Sequence, residues 1–287
     1  MTDSSNASLT PGVPGPAGGS AADGAAGSAA AASADTQADG AQEKKKKELP
    51  WYLEIPLIIG ITLLIVFVVQ TFIGRVYMIP SGSMEPTLHG CTGCAGDRIA
   101  VEKVSYYFSD PKPGDVVVFA GTPSWNGNFV SQRSENPVIH GLQDLGSYVG
   151  LVAPDENNLV KRIIATGGQT VSCQAGDPAV MVDGKPTDQS FILNPPQDPV
   201  GESEYGSDAC GGEYFGPITV PEGNVWVMGD NRTGSADSRA HMGDEYQGTV
   251  PVENIRGKTV ARIWPLDRIG LVDSPDIQDA EDTGAAA

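Results

Sequence analysis

Serine and lysine are the residues in this sequence best placed to do covalent chemistry. The segment Met78-Ile79-Pro80-Ser81-Gly82-Ser83-Met84-Glu85-Pro86-Thr87-Leu88 sets two hydroxyls either side of a glycine. Pro80 and Pro86 bias the residues before them toward extended backbone, and Gly82 permits an unusual backbone angle between the serines. Such a loop presents a hydroxyl in a fixed pose. A serine hydroxyl is a weak nucleophile until a neighbouring base takes its proton. Histidine, the usual base, is scarce: His89, His140 and His241 are scattered, without an H-x-x-x-H pairing, and are expected to lack a Glu partner at helical spacing and to be solvated loop residues.

Lys161 is the alternative base. It sits in Leu159-Val160-Lys161-Arg162-Ile163-Ile164-Ala165, which reads as a strand. Alternate side chains of a strand share a face, so Leu159, Lys161 and Ile163 lie together. If that face is buried, desolvation disfavours the ammonium and lowers the lysine toward neutrality, where it accepts protons. If the strand is an edge, the same lysine snorkels to water. A third polar segment, Gly229-Asp230-Asn231-Arg232-Thr233-Gly234-Ser235-Ala236-Asp237-Ser238-Arg239, follows an apolar run and suits a scaffold beside a site. It does not fit a calcium loop, because Arg232 falls among the liganding positions and no closing Glu follows at the right spacing.

The elements that must hold these residues are an anchor and a β domain. Residues 56–73 carry no charge, and eighteen residues at about 1.5 Å each span about 27 Å, the thickness of a bilayer's hydrocarbon core. Trp51 and Tyr52 suit an interfacial belt. Lys44-Lys45-Lys46-Lys47 precedes the run, and only Arg75 is basic after it until Arg98. The positive-inside rule then predicts a cytoplasmic N-terminus and an extracytoplasmic remainder. A cleaved leader fits poorly, since over forty residues come first and no A-x-A follows.

Past the anchor the texture is β. Strands are predicted at 116–119, 159–165, 225–228 and 258–264, and Ala179–Val182 followed by Asp183-Gly184-Lys185 reads as a hairpin. Long Gly/Pro/Asn/Ser-rich stretches, 121–158 and 194–212, read as loops without helical periodicity. The division is therefore 1–50 a disordered cytoplasmic tail with a lysine run, 51–75 the transmembrane anchor, 76–271 a mainly β domain of short strands with large loops, and 272–287 a disordered acidic tail.

Composition narrows the partners. Eighteen Lys plus Arg against 36 Asp plus Glu, a formal charge of −18, argues against nucleic acid, which needs a basic surface. There are four cysteines. Outside the cytoplasm they default to disulfides, Cys91–Cys94 and Cys173–Cys210 being the favoured pairs, although spacing alone does not select among the three pairings.

Taken jointly, the anchor and the blocks at Met78–Leu88, Gly114–Phe119, Lys161–Gly168 and Gly229–Arg239 resemble the ordered signature blocks of bacterial type I signal peptidases. The resemblance implies a signal-peptidase-like antiparallel β domain and a membrane-bound serine endopeptidase that removes signal peptides from exported preproteins. By that match Ser83 is the nucleophile and Lys161 its general base. Ser81 and the Ser83 backbone form the oxyanion hole, and Ser235 orients the lysine. Asp230, Asp237 and Arg239 support the site, while Ile79, Pro80, Met84, Leu88 and Val160 line shallow substrate pockets. It implies no metal or organic cofactor, and as partners preproteins, the lipid bilayer and the secretion machinery. Thr233-Gly234 departs from the family's common Asp-Asn, and the 121–158 and Cys91–Cys94 stretches look longer than its compact form. Two rivals remain at this level: a self-cleaving Ser/Lys repressor-type protease, which the anchor and the negative charge oppose, and a membrane-anchored, non-catalytic binding module, which leaves a lysine between apolar neighbours unexplained.

Overall fold

A computed structural model describes residues 50–279, apart from 92–95, 128, 132, 149–151 and 153–154. The predicted 1–50 tail and the Cys91–Cys94 pairing lie outside the described residues, save for Pro50 and Cys91.

The apolar run folds as helix α1, Trp51–Val68, continued by a π-helical turn at Val69–Ile73. Together these make one 23-residue helix, none of it buried against protein, long and apolar enough to cross a membrane. The chain then enters fourteen strands: β1 Gly74–Met78, β2 Arg98–Glu102, β3 Val116–Ala120, β4 Asn158–Thr166, β5 Thr170–Cys173, β6 Met181–Val182, β7 Lys185–Pro186, β8 Gly206–Ser207, β9 Gly212–Glu213, β10 Phe215–Thr219, β11 Asn224–Met228, β12 Val250–Pro251, β13 Ile255–Trp264 and β14 Gly270–Leu271. The predicted Asp183-Gly184 turn joins β6 to β7.

The main antiparallel sheet runs β1-β2-β13-β3-β4-β11-β12, with β14 on β13, and a smaller sheet runs β10-β5-β6-β7. Strand β3, Val-Val-Val-Phe-Ala, is central and buried on both faces, as a continuous β-branched run requires. Its register with β4 sets Lys161 opposite Val117 and Arg162 opposite Val116. On the other side of β4, β11 begins pairing at Arg162, opposite Met228. Lys161 therefore lies just before the stretch that β11 covers, on an edge of β4 that is still open, yet it is only 4% exposed, so the reading in which it snorkels to water does not hold. Trp226, Ile164, Val171 and Phe215 form one core cluster between the sheets, and Cys173–Cys210 forms a disulfide within it, as expected.

Two expectations are corrected. The 121–158 stretch contains a helix, α2, Pro137–Tyr148; its apolar residues point away from the domain, so no core demanded the pattern. The acidic tail also begins later than 272. Val272 is buried, Ile277 is fully enclosed in the core, the Asp273 carbonyl accepts from Arg162, and Gln278 donates to the Ile164 carbonyl. Two apolar side chains at the right spacing outweigh an acidic composition.

Candidate active site

Ser83 lies in a short 3₁₀ turn, Gly82–Met84, entered from an extended Ser81. Gly82 keeps an ordinary φ, so the unusual backbone angle expected of it is not used. Met84 and Leu88 hold the turn from below, buried with Ile79, Ile99, Val116 and Val118.

Strand β4 delivers the lysine. Lys161 Nζ lies 2.7 Å from Ser83 Oγ, and the lysine is only 4% exposed. Burial pushes it down to about 8; the carboxylates of Asp237 and Asp230 pull the other way without cancelling the desolvation, and Arg239 adds to the depression. Ser81 Oγ stands 3.4 Å from Ser83 Oγ on the exposed side.

The loop after β11 clamps the serine turn. Asn231 donates its backbone N–H to the Ser83 carbonyl (3.1 Å) and its side-chain amide to the Gly82 carbonyl (3.1 Å). Asp230, fully buried, receives Arg162 bidentately at 2.9 and 2.8 Å, and Thr87 Oγ1 at 2.5 Å. Arg162 also reaches the Gly114 and Asp273 carbonyls. Asp237 binds Arg239 through both oxygens (2.8 Å each) and accepts the Gly229 N–H at 3.0 Å. Burial would raise the Asp237 carboxyl, yet the hydrogen bonds and charge of Arg239 and the Gly229 N–H hold it below the usual carboxylate range.

Ser235 Oγ is buried against the Gly229 backbone, where a Cβ would overlap both it and the Ser83 carbonyl. It makes no bond to Lys161 here. Its hydroxyl is the smallest of the influences that hold the Asp237 carboxyl down. Asn231, Thr87 and Arg162 are the residues that the sequence left unassigned. The polar density of 229–239 was the only signal for Asn231.

A groove of about 860 Å³ runs beside the site and is not lined by Ser83 or Lys161 themselves. Pro80 and Val160, the chain neighbours of Ser81 and Lys161, line it, together with Met78, Tyr77 and Asn158, and it continues to Val69, Gln70 and Ile73 at the end of the apolar helix. Ile79, Met84 and Leu88, which the resemblance assigns to shallow substrate pockets, do not line this groove; they are buried with Val116 and Val118. Strands β1 and β4 are three strands apart in the sheet yet share this groove, so the sheet curls. Both present free edges there: β1 pairs only with β2, and Asn158–Lys161 of β4 pair only with β3.

His89, His140 and His241 stay out of this cluster. His89 faces Glu85, His140 faces Asp144, and His241 stacks on Trp125 at 4.3 Å between ring centroids.

A family model described as signal peptidase, peptidase S26, matches residues 52–264. The chain is 48% identical over 257 residues to a probable signal peptidase I of Mycobacterium leprae, covering 85% of this chain and 86% of that one. It is 47% identical over 249 residues to signal peptidase I of Mycobacterium tuberculosis, covering 85% and 83%. With signal peptidase I of Leptolyngbya laminosa it shares 31% identity over 217 residues, covering 76% and 82%.

Proposed function

The chain belongs to the signal peptidase family, peptidase S26, and from that membership we propose that it cleaves signal peptides from exported preproteins with Ser83 as nucleophile and Lys161 as general base. The observation that carries the reading is the 2.7 Å approach of a buried lysine to the Ser83 hydroxyl. A lysine with its pKa near 8 is neutral in a sizeable fraction at physiological pH, so its lone pair can receive the Ser83 proton.

Chemistry then follows in two halves. Ser83 Oγ attacks the scissile carbonyl as its proton passes to Lys161. The tetrahedral oxyanion forms beside Ser81 Oγ and the Ser83 N–H, which stabilise its charge. Collapse expels the amine of the mature protein, which takes the proton back from the lysine. Lys161, neutral again, draws a proton from water, whose oxygen attacks the acyl-serine; the ester bond to Ser83 then breaks, the lysine returns its proton to Ser83 Oγ, and the leader leaves with a new carboxyl terminus. Ser235 would orient Lys161 by turning its free hydroxyl to Nζ. Asn231, Asp230 with Arg162, and Asp237 with Arg239 hold the serine turn and the loop in register.

The free edges of β1 and β4 suit an extended peptide added as a strand, with Pro80 and Val160 against its side chains. The groove's continuation to Val69 and Ile73 suits a leader whose apolar part remains in the bilayer. Lys44–Lys47 before the anchor support a cytoplasmic N-terminus and an extracytoplasmic catalytic domain in the cell membrane. The secretion machinery would be the source of substrate.

The test is cleavage of a preprotein bearing an A-x-A site by detergent-solubilised protein, beside Ser83→Ala and Lys161→Ala. Wild type should cut and both variants should not. Full cleavage by either variant overturns the assignment.

A further inference from the structure

Helix α2 is built inside out. From Pro137 to Tyr148, at about 100° per residue, Val138, Leu142 and Leu145 fall on one stripe with Ile139 beside it, and His140, Gln143, Asp144 and Ser147 fall on the other. In a helix packed on a water-soluble domain the apolar stripe faces inward. Here it faces out: Val138, Leu142 and Leu145 are 69, 63 and 62% exposed. The polar stripe instead carries the contacts to protein. Gln143 Oε1 accepts the Ser134 N–H at 2.9 Å, and Asp144 pairs with Arg133 at 3.2 Å. Asn136 Oδ1 caps the first turn through the Val138 N–H. The polar stripe is thus tied to the segment just before the helix, and the apolar stripe is left uncovered by protein, which water disfavours and an apolar phase favours.

Its position says which phase. The Gly146 carbonyl accepts the Val152 N–H at 3.2 Å, and Gly146 packs directly on the Val152 side chain. Val152 lines the same groove as Val69, Gln70 and Ile73, the end of the apolar helix. The last turn of α2 therefore reaches, through Val152, the groove that the end of the apolar helix also lines. Phe129 and Val130, just before α2, are exposed as well.

We propose that α2 is an interfacial helix, its Val138, Ile139, Leu142 and Leu145 face seated at the headgroup–acyl boundary of the bilayer that α1 crosses. It is a second foothold, and it fixes the height and tilt of the groove mouth against the membrane. The helix contains no Lys or Arg, so its attachment comes from apolar burial and not from attraction to anionic headgroups. The inference rests on the anchor and not on the catalytic reading.

The described cysteines are all in disulfides, so a single introduced cysteine can be labelled in the full chain. Leu142→Cys and Ser147→Cys, each carrying an environment-sensitive dye, are compared in equimolar phosphatidylethanolamine and phosphatidylglycerol vesicles. The Leu142 dye should be blue-shifted and quenched several-fold more by lipid-borne quenchers than the Ser147 dye, and added salt should not reverse this. Equal access of an aqueous quencher to both sites overturns the proposal. So does shielding of the Leu142 dye that grows with protein density and ignores the lipid quencher, which would assign the face to a second copy. The pair Leu142→Asp with Leu145→Asp should slow cleavage of a vesicle-embedded preprotein several-fold and leave cleavage of a short soluble peptide in detergent unchanged; equal rates on the embedded substrate also overturn it. If the wild type cuts neither substrate, the protease reading fails while the dye result still decides the helix.

Discussion

Lys161 Nζ and Ser83 Oγ meet at 2.7 Å although 78 residues separate them in the chain. Two independent devices produce the meeting. The β3–β4 register places Lys161 opposite Val117, next to the point where β11 starts to pair, and Asn231 grips the carbonyls of Gly82 and Ser83 from the end of β11. Because β11 itself pairs with β4, Ser83 and Lys161 are referenced to the same strand.

The pH–rate profile follows from the lysine. Only its neutral form accepts the serine proton, and burial holds it near 8. Below that value kcat/KM should fall about tenfold per pH unit, and above it the rate should level off. Steady-state cleavage measured from pH 6 to 10 checks this. A profile that is flat across the range removes Lys161 as the base.

Burying the lysine also costs stability. A depression from 10.5 to about 8 disfavours the ammonium in the folded state by about 3 kcal/mol at neutral pH. Between those two values the unfolded chain binds a proton that the folded chain has released, so the cost is full below about 8 and fades as pH rises to 10.5. Lys161→Met should therefore be inactive yet more stable than wild type at pH 7, by at most about 3 kcal/mol. The gain should shrink toward pH 10. Denaturant titrations at the two pH values would read it, and a variant less stable at pH 7 would contradict the account.

Much of this site was legible before the fold, and the unreadable parts share a cause. The apolar run, the Ser81–Ser83 turn and the strand around Lys161 are local patterns, and each appears where its residues pointed. Whether Lys161 was buried or snorkelled to water depended on what covers that end of β4, which periodicity cannot see. Asn231 and the Arg162–Asp230 pair act across 149 and 68 residues, through a register that exists only once the sheet forms. The resemblance alone assigns Leu88, Met84 and Ile79 to substrate pockets; that they also pack with Val116 and Val118 follows from the sheet and not from their own segment. Helix α2 escaped notice because Gly141 and Gly146 dilute its propensity and its apolar stripe has no core to face.

The Arg162–Asp230 pair should be expensive to break. Both side chains are almost wholly buried, and Asp230 takes three hydrogen bonds from Arg162 and Thr87. Asp230→Asn leaves a buried guanidinium uncompensated, so the loss should be about 3–5 kcal/mol. Urea denaturation is the measure; a change under about 1 kcal/mol would mean that backbone carbonyls alone satisfy Arg162.

Gly229→Ala separates geometry from stability. The added methyl would overlap the Ser83 carbonyl and the Ser235 side chain, pushing the nucleophile away from Lys161. A shift of about 1 Å at reacting atoms can cost about a hundredfold in rate. The expected signature is a large fall in kcat with a small change in KM, since the groove residues Pro80 and Val160 are untouched. A KM effect with kcat preserved would place the disturbance in the groove instead.

The Cys173–Cys210 disulfide reaches the site through Arg239. Its guanidinium donates to the Cys210 and Gly211 carbonyls while holding both oxygens of Asp237, which in turn accepts the Gly229 N–H. A cross-link spanning 37 residues restricts the unfolded chain by about 4 kcal/mol in the loop-entropy account. Replacing both cysteines by alanine should lower stability by about that amount. It should also lower kcat at temperatures where the variant is still folded, because Arg239 loses two fixed acceptors and Asp237 its rigid clamp. Denaturation midpoints and turnover on one preprotein, compared between the variant and wild type, distinguish the two effects: a stability loss with unchanged kcat would confine the disulfide to holding the β5 side of the core, and an unchanged midpoint would remove even that role.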